Sequence, residues 1–371
     1  MTEEGAKDRT DREVVVPWLK FLWETYRAIL ELLHKNAKLE RVYHKTCEKA
    51  FKFCLDYQRA LEFRRLCEML RQHLSNLQRI IVQPKTTRVV WEWTPEAIEL
   101  HLQTRFSQLE VATSLELWNE GFRTVEDIYA IMQLGKKTPK PRLMAAYYEK
   151  LTRIFWVSEN YLFHAYTWYR FHSLSVECRK EMKGEEKTIQ ASNTLLAALC
   201  IPTLKDTANV LEDDDMSLEK NQQMAMLLDF QANPTRQALL SEMVNKGILT
   251  DVLPELSQLY HLLETKFSPL TLIQDLIPLL NVMKTNNQLN MYYIPLQRVA
   301  VLRLIQKISK IYTVVKIDFL KKLLQGLDLS YSEVERLIID GVARKQLSLK
   351  IDHSTGCVRF GMSVSMGPAL D

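Results

Sequence analysis

Cysteines, histidines and a set of lysines and arginines near the C-terminus are the residues of this 371-residue chain that could do chemistry. Six cysteines stand at 47, 54, 67, 178, 200 and 357. A zinc finger needs closely paired thiolates matched by Cys or His elsewhere, yet no C-x-x-C occurs and no histidine stands at finger spacing beside them. Cys47 and Cys54 share a helix face with Phe51 between them, so they read as small core hydrophobes. The set as a whole reads as the buried, reduced thiols of a cytoplasmic protein. Among the eight histidines, His164 and His172 share a helix face with aromatic neighbours and read as packed side chains. The chain has no G-x-x-x-x-G-K-[ST] or G-x-G-x-x-G loop, no H-E-x-x-H and no G-x-S-x-G elbow, so the local patterns for phosphate cradling, metalloprotease zinc and acyl transfer are missing. No catalytic, metal-ligating or cofactor-binding set is assigned, and an enzyme is not expected.

The charges offer the remaining chemistry. Residues 291–371 carry 12 basic and 7 acidic side chains, against 37 and 38 in residues 1–290, so the net charge of +4 belongs to the C-terminal end. Arg303, Lys307 and Lys310 recur at helical spacing opposite an apolar face, with Lys316, Lys321 and Lys322 nearby. Such a stripe is either a solvated helix face or a contact for an RNA backbone or acidic partner. The stretch from Lys35 to Arg79, with 11 basic and 5 acidic residues, invites the same two readings.

Helices must position these groups. With 10 Gly and 12 Pro, the chain cannot supply the frequent turns of a sandwich or barrel. Its composition, 47 % hydrophobic and 25 % charged, excludes general disorder. Leu19, Leu22, Trp23, Tyr26, Leu30 and Leu33 form one apolar stripe, and further stripes run through Val42, Ala50, Phe53, Cys54 and Tyr57 and through Leu61, Leu66, Met69, Leu70, Leu74 and Leu77. Helical patterns follow over 95–119, 121–134, 140–157, 160–182, 186–200, 217–230, 235–246, 250–265 and 269–284. Thr94-Pro95, Asn233-Pro234 and Ser268-Pro269 each read as an N-cap followed by Pro in the first turn. Short connections predict antiparallel helical hairpins stacked as a solenoid. Ser114 to Ile128 has the look of a tetratricopeptide unit, without a second copy at its period. Gln83–Trp93 reads as a loop whose Trp91 and Trp93 either pin back onto the stack or offer an aromatic patch to a partner, and Lys205–Lys220, with its acidic run 212–215, as a solvated connection. The longest uncharged, apolar-looking stretch, Thr188–Leu204, is too short and too polar to span a bilayer.

From Ile294 the pattern changes to helix, helix, helix, strand, turn, strand. The first helix buries Val301, Leu304, Ile305, Ile308 and Tyr312. The second, Asp318–Gln325, ends at Gly326. The third opens with the capping box Ser330-x-x-Glu333 and buries Val334, Leu337, Ile338 and Val342, with Gly341 allowing close approach. Leu347, Leu349 and Ile351 then alternate with Ser348, Lys350 and Asp352; His353–Gly356 turns the chain, and Val358 and Phe360 continue the apolar face. This order is a winged helix. Its third helix balances Glu333, Glu335 and Asp340 against Arg336, Arg344 and Lys345, which argues against sequence-specific DNA reading.

A helical solenoid running into a winged helix resembles the PCI domain shared by the proteasome lid, the COP9 signalosome and eukaryotic translation initiation factor three. Several strings are similar to the largest-subunit family of that factor: Asp8-Arg-Thr-Asp-Arg, Pro17-Trp-Leu-Lys-Phe-Leu-Trp-Glu, Ala50-Phe-Lys-Phe-Cys-Leu, Glu62-Phe-Arg-Arg-Leu-Cys, Lys137-Thr-Pro-Lys-Pro, Tyr147-Tyr-Glu-Lys-Leu-Thr, Asn160-Tyr-Leu-Phe-His-Ala and Ile351-Asp-His-Ser. The resemblance runs from about Asp8 to Gly361. It implies a mostly α fold: a right-handed helical-repeat (TPR/HEAT-like) solenoid over 1–184, a PCI domain over 185–362 (helical part 185–293, winged helix 294–362) with a small β-hairpin, and a disordered tail over 363–371. Family members have further repeats before the position of Asp8 and a long charged extension after the PCI domain, so the chain is expected to be a fragment lacking both.

The resemblance also implies a cytoplasmic, non-catalytic scaffold without cofactors. Its implied partners are other subunits of the factor, especially subunit c, the small ribosomal subunit, and mRNA or rRNA backbone, with a role in mRNA recruitment and scanning and no membrane contact. An exposed hairpin edge can be completed by a neighbouring chain, which makes Ser348, Lys350, Asp352, Cys357 and Arg359 the candidate subunit contacts. Arg303, Lys307, Lys310, Lys316, Lys321 and Lys322 are the candidate RNA or ribosome contacts. A lid or signalosome subunit, and a winged-helix nucleic-acid regulator, are the competing expectations.

Overall fold

The computed structural model describes residues 11–82, 93–134, 140–178, 184–202, 224–225, 235–265, 268–343 and 347–361, and the chain divides into two compact units, Met1–Ser158 and Glu159–Asp371. The Gln83–Trp93 loop apart from Trp93, the acidic connection, nearly all of the 217–230 helix, Arg344, Lys345 and the 363–371 tail lie outside the described residues, as does the proposed Asn233-Pro234 cap.

The first unit is helical. After a π-helical turn at Asp11–Val15 come α1 (Val16–Leu33), α2 (Glu40–Asp56), α3 (Ala60–Val82), α4 (Pro95–Ser114), α5 (Trp118–Leu134) and α6 (Pro141–Val157). Helix α2 packs against α1 and α4, and α4 also against α5 and α6. Tyr43, Cys47, Ala50 and Cys54 recur along one side of α2 and join Leu19, Trp23, Leu30, Phe63, Leu66 and Leu70 in one core. Val42 and Leu61, expected on buried stripes, are exposed instead.

The glycine shortage is met by an unusual device. Gln58, after α2, and Glu116, after α4, adopt positive φ of 51° and 56°. Each is followed by an N–H that reaches back five residues, Arg59 to the Cys54 carbonyl at 2.8 Å and Leu117 to the Ala112 carbonyl at 2.9 Å. This is the Schellman ending, normally closed by glycine, and a left-handed non-glycine residue costs about 1–2 kcal/mol. Glu159, after α6, takes φ of 55°. The array is thus closed by side-chain-bearing residues, which is why no repeated Gly marks its period.

The second unit contains α7 (Tyr161–Cys178), α8 (Gly184–Leu199), α9 (Arg236–Asn245), α10 (Ile248–Asp251), α11 (Pro254–Tyr260), α12 (Leu272–Thr285) and α13 (Tyr293–Ile308), then β1 (Val314–Lys316), α14 (Ile317–Leu323), α15 (Tyr331–Ala343), β2 (Leu349–Asp352) and β3 (Cys357–Phe360). His164 and His172 are core side chains, as expected: both are buried, and His164 Nε2 lies 3.0 Å from the Tyr292 hydroxyl.

Three helix starts differ in detail from expectation. Thr94 caps α4 as foreseen, accepting the Ala97 N–H at 3.1 Å. Helix α9 is capped by Thr235, which accepts from Ala238 N–H at 3.2 Å. The expected 250–265 helix is split, because Pro254 has no N–H to give and holds Leu253 extended (φ −58°, ψ 138°). Ser268-Pro269 forms the turn before α12 and not its cap; the Ser268 carbonyl accepts the Leu272 N–H at 2.9 Å.

Candidate interaction surfaces

The winged helix is built by local signals that work together. Ser330 and Glu333 form the capping box: the Ser330 N–H donates to Glu333 Oε2 at 2.8 Å and the Glu333 N–H to Ser330 Oγ at 3.4 Å. Val334 and Ile338 are buried on α15, and Gly341 lies so close to the wing that a Cβ there would stand 2.9 Å from Leu347 Cδ1. The sheet has three strands in the order β1-β3-β2, all antiparallel. Strand β1, three residues between two helices, was not legible as a strand. Its pairing places Val315 opposite Val358, which is in turn opposite Ile351, as one apolar row. Tyr312, expected on the buried face of α13, lies past its end and is exposed.

The sheet order corrects the expected edge. β3 is the central strand, so the backbone groups of Cys357 and Arg359 are taken up within the sheet. The Gly361 N–H donates to the Ser348 carbonyl at 2.9 Å; with side-chain and hydrogen-bond alternation, Lys350 and Asp352 therefore turn their backbone groups toward β3, while Leu349 and Ile351 turn theirs to the open side. The available edge is thus the backbone of Leu349 and Ile351 on β2. Four of the five predicted side chains gather, because Lys350 pairs with Arg359 and Asp352 with Cys357, joined by Lys316 of β1 opposite Cys357, all on the face opposite the apolar row. Asp352 is engaged within the hairpin: its Oδ1 accepts the Ser354 hydroxyl at 2.6 Å and the Ser354 and Thr355 N–H groups at 3.0 and 3.2 Å. Those bonds hold its carboxyl well below the usual range. Arg359 approaches Asp352 Oδ2 at 3.7 Å.

The basic candidates divide among different surroundings. Arg303 does not belong to an exposed stripe. Its guanidinium donates to the Leu263 carbonyl and to Glu264 Oε2 at 2.8 Å, and its side chain is 14 % exposed. Glu264, on the π-helical turn His261–Thr265 that follows α11, is shared with Arg236 at 2.5 Å. Burial pushes the Glu264 carboxyl up, but the two guanidiniums outweigh it and hold it below its ordinary value. Helical spacing put Arg303 in register with Lys307 and Lys310, but the chain before α12 supplies a carboxylate that covers it. Lys307, Lys310, Lys316 and Lys322 are exposed, and Lys321 sits 4.8 Å over the Tyr331 ring.

Two features escaped sequence reasoning. Helix α1 carries a second apolar stripe, Trp18, Phe21, Ile29 and Leu32, exposed by 55, 67, 39 and 73 %. The spacing is present in the sequence, beside the stripe that buries Leu19, Trp23 and Leu30. Glu40, His44 and His101 form a group with metal-ligating geometry, their donor atoms all within 4.8 Å of one another. Only Glu40 and His44, one helical turn apart, had a sequence signal. No helix among the described residues is long and apolar enough to cross a membrane.

Known proteins match most of the chain. The profile described as "eIF3a, PCI domain, TPR-like region" matches residues 1–271, and the PCI domain profile matches residues 274–361. The A subunit of eukaryotic translation initiation factor 3 from Arabidopsis thaliana is 43 % identical over 96 % of the chain, and the Mus musculus and Homo sapiens proteins of that name are each 41 % identical over 99 % of it. The chain spans 38 % of the length of the Arabidopsis protein, 28 % of the mouse protein and 27 % of the human one. These matches do not favour a proteasome-lid or signalosome subunit, or a nucleic-acid regulator.

Proposed function

This chain belongs to the family of the A subunit of eukaryotic translation initiation factor 3, eIF3a, and from that premise we propose that it acts as a non-catalytic, cytoplasmic scaffold of the initiation factor 3 complex. The observation that carries the reading is the wing, a three-stranded sheet whose β2 edge is unpaired among the described residues and whose outward face gathers Lys316, Lys350, Cys357 and Arg359. A neighbouring subunit, in the first place subunit c, adds a strand along Leu349 and Ile351, and the outward side chains select it. The exposed stripe on α1 supports a scaffold role as a second protein-contact surface. The helical array through about residue 184 and the PCI domain from 185 to 362 serve as separate modules of that scaffold. Lys307, Lys310, Lys316 and Lys322 contact rRNA or mRNA backbone and so support small-subunit binding, mRNA recruitment and scanning; Arg303 is not one of them.

Capture of subunit c by the purified chain tests the pairing. Lys350→Glu retains the helical circular dichroism of the parent and loses capture, whereas Leu349→Asp, at a buried position, disrupts the wing itself. Normal capture by Lys350→Glu removes the β2 edge as the contact.

A further inference from the structure

We propose that Glu40, His44 and His101 form a binding site for a divalent transition metal of the zinc class, which clips α2 to α4. Glu40 and His44 lie one turn apart on α2, and His101 stands on α4, which packs across it. Zinc held by nitrogen and oxygen at about 2.0–2.1 Å, in tetrahedral geometry, spaces its ligand atoms about 3.3–3.4 Å apart. His101 Nε2 and Glu40 Oε1 already stand 3.4 Å apart, and the whole set fits within 4.8 Å.

The state of His44 is what singles this cluster out. Its Nδ1 lies 2.6 Å from the buried hydroxyl of Thr104, which fixes the ring, while its Nε2 is buried and without a hydrogen-bond partner. His101 Nε2 is likewise buried and without one. A ring anchored through one nitrogen, with the other buried and unpartnered and a second imidazole and a carboxylate close by, is the arrangement that metal-binding histidines share.

The surroundings suit a cation. Leu33, Leu70, Leu74 and Leu77 wall the same pocket, which keeps the ligands poorly hydrated. Arg105 also lines the pocket, but its positive charge is engaged by Gln108 Oε1 at 2.6 Å, the Leu70 carbonyl at 3.0 Å and Asp127 at 3.6 Å. His34 and His73 also face the pocket but stack on each other at 3.9 Å, and His73 Nδ1 is engaged by the Tyr43 hydroxyl. They remain outside the ligand set. Three protein ligands leave the fourth position to water, and the part-exposed Glu40 side chain marks the entry path.

The test uses the full chain, freed of any affinity tag and stripped with a chelator, and titrated with ZnCl2 against a chromophoric competitor and with CoCl2 by visible absorption. The expected result is one equivalent bound with a tetrahedral cobalt spectrum and a rise in the thermal midpoint on adding zinc. His101→Ala, at the pocket rim, abolishes the spectrum, and Thr104→Val weakens binding about 10–100-fold while the ligands stay intact. No stoichiometric binding by the parent chain, or equal binding by His101→Ala, overturns the proposal and leaves a water-bridged histidine pair.

Discussion

Replacing Arg303 separates two descriptions of the basic end of the chain. If Arg303 were one cation of a solvent-facing stripe, charge reversal would leave stability nearly unchanged and reduce polyanion binding. The structure instead seats it on Leu263 and Glu264. Two charge-assisted hydrogen bonds at about 1.5–3 kcal/mol each would be lost in Arg303→Met, but the methionine keeps much of the packing and Arg236 still neutralises Glu264. The net cost is about 3 kcal/mol. Arg303→Glu sets a second carboxylate against a part-buried one, and uncompensated buried charge costs about 3–5 kcal/mol, added to the lost bonds. With about 2–4 °C per kcal/mol for a domain of this size, the methionine variant melts about 6–12 °C lower and the glutamate variant lower still.

Thermal melting followed at 222 nm, beside a small-subunit binding titration, gives the answer. The acid limb adds an independent sign. Glu264 has a folded-state pKa below its ordinary 4.5, so its contribution is fully present above that value and fades as pH falls through the lowered one. Removing Arg303 raises the folded value, and the variant loses stability at a higher pH than the parent. An Arg303→Glu protein that melts within about 2 °C of the parent and binds the ribosomal subunit weakly would refute this reasoning and restore Arg303 to the exposed stripe.

Gly341→Leu costs about 1–3 kcal/mol by overpacking against Leu347, while Gly341→Ala, which only asks the Leu347 methyl to turn, stays close to the parent in urea unfolding. Native thiol labelling reaches the exposed Cys178 first and Cys357 next. Cys47 and Cys54, pushed up to about 12 by burial, and Cys67 and Cys200, pushed higher, react only in denaturant; rapid labelling of four or more thiols in the native chain contradicts the packing.

What could be read from sequence was local. The Ser330/Glu333 box, the Thr94 cap and the turn at Gly356 are each decided within a few residues, and each stands where expected. The winged-helix order was legible for the same reason, since the change of hydrophobic period falls within one short stretch. Partners distant in sequence were not. Arg303 finds Glu264 39 residues away, and no pattern on α13 announces it. β1 is three residues long, too short for alternation to register, and becomes a strand because β3 offers it an edge. The array closures at Gln58 and Glu116 escaped because side-chain-bearing residues, not glycine, take the positive φ of these Schellman endings.

The order β1-β3-β2 has a consequence that a two-stranded wing would not. A hairpin offers both its strands as edges, so Cys357 and Arg359 could have exchanged backbone bonds with a partner. Here β3 is saturated, and the two outer edges differ. β2 presents Leu349 and Ile351 backbone beside Lys350, a charged side chain of the kind that guards edges against promiscuous pairing. β1 is shorter and is flanked by exposed Ile311, Tyr312, Val314 and Phe319, an apolar rim suited to burial against a side-chain surface. On the proposed scaffold reading, one edge would select by register and charge and the other by apolar contact. Because the two edges are unlike, a partner that fits one does not fit the other, and contacts made at both would be heterologous, the kind that extend an assembly without closing it into a symmetric dimer.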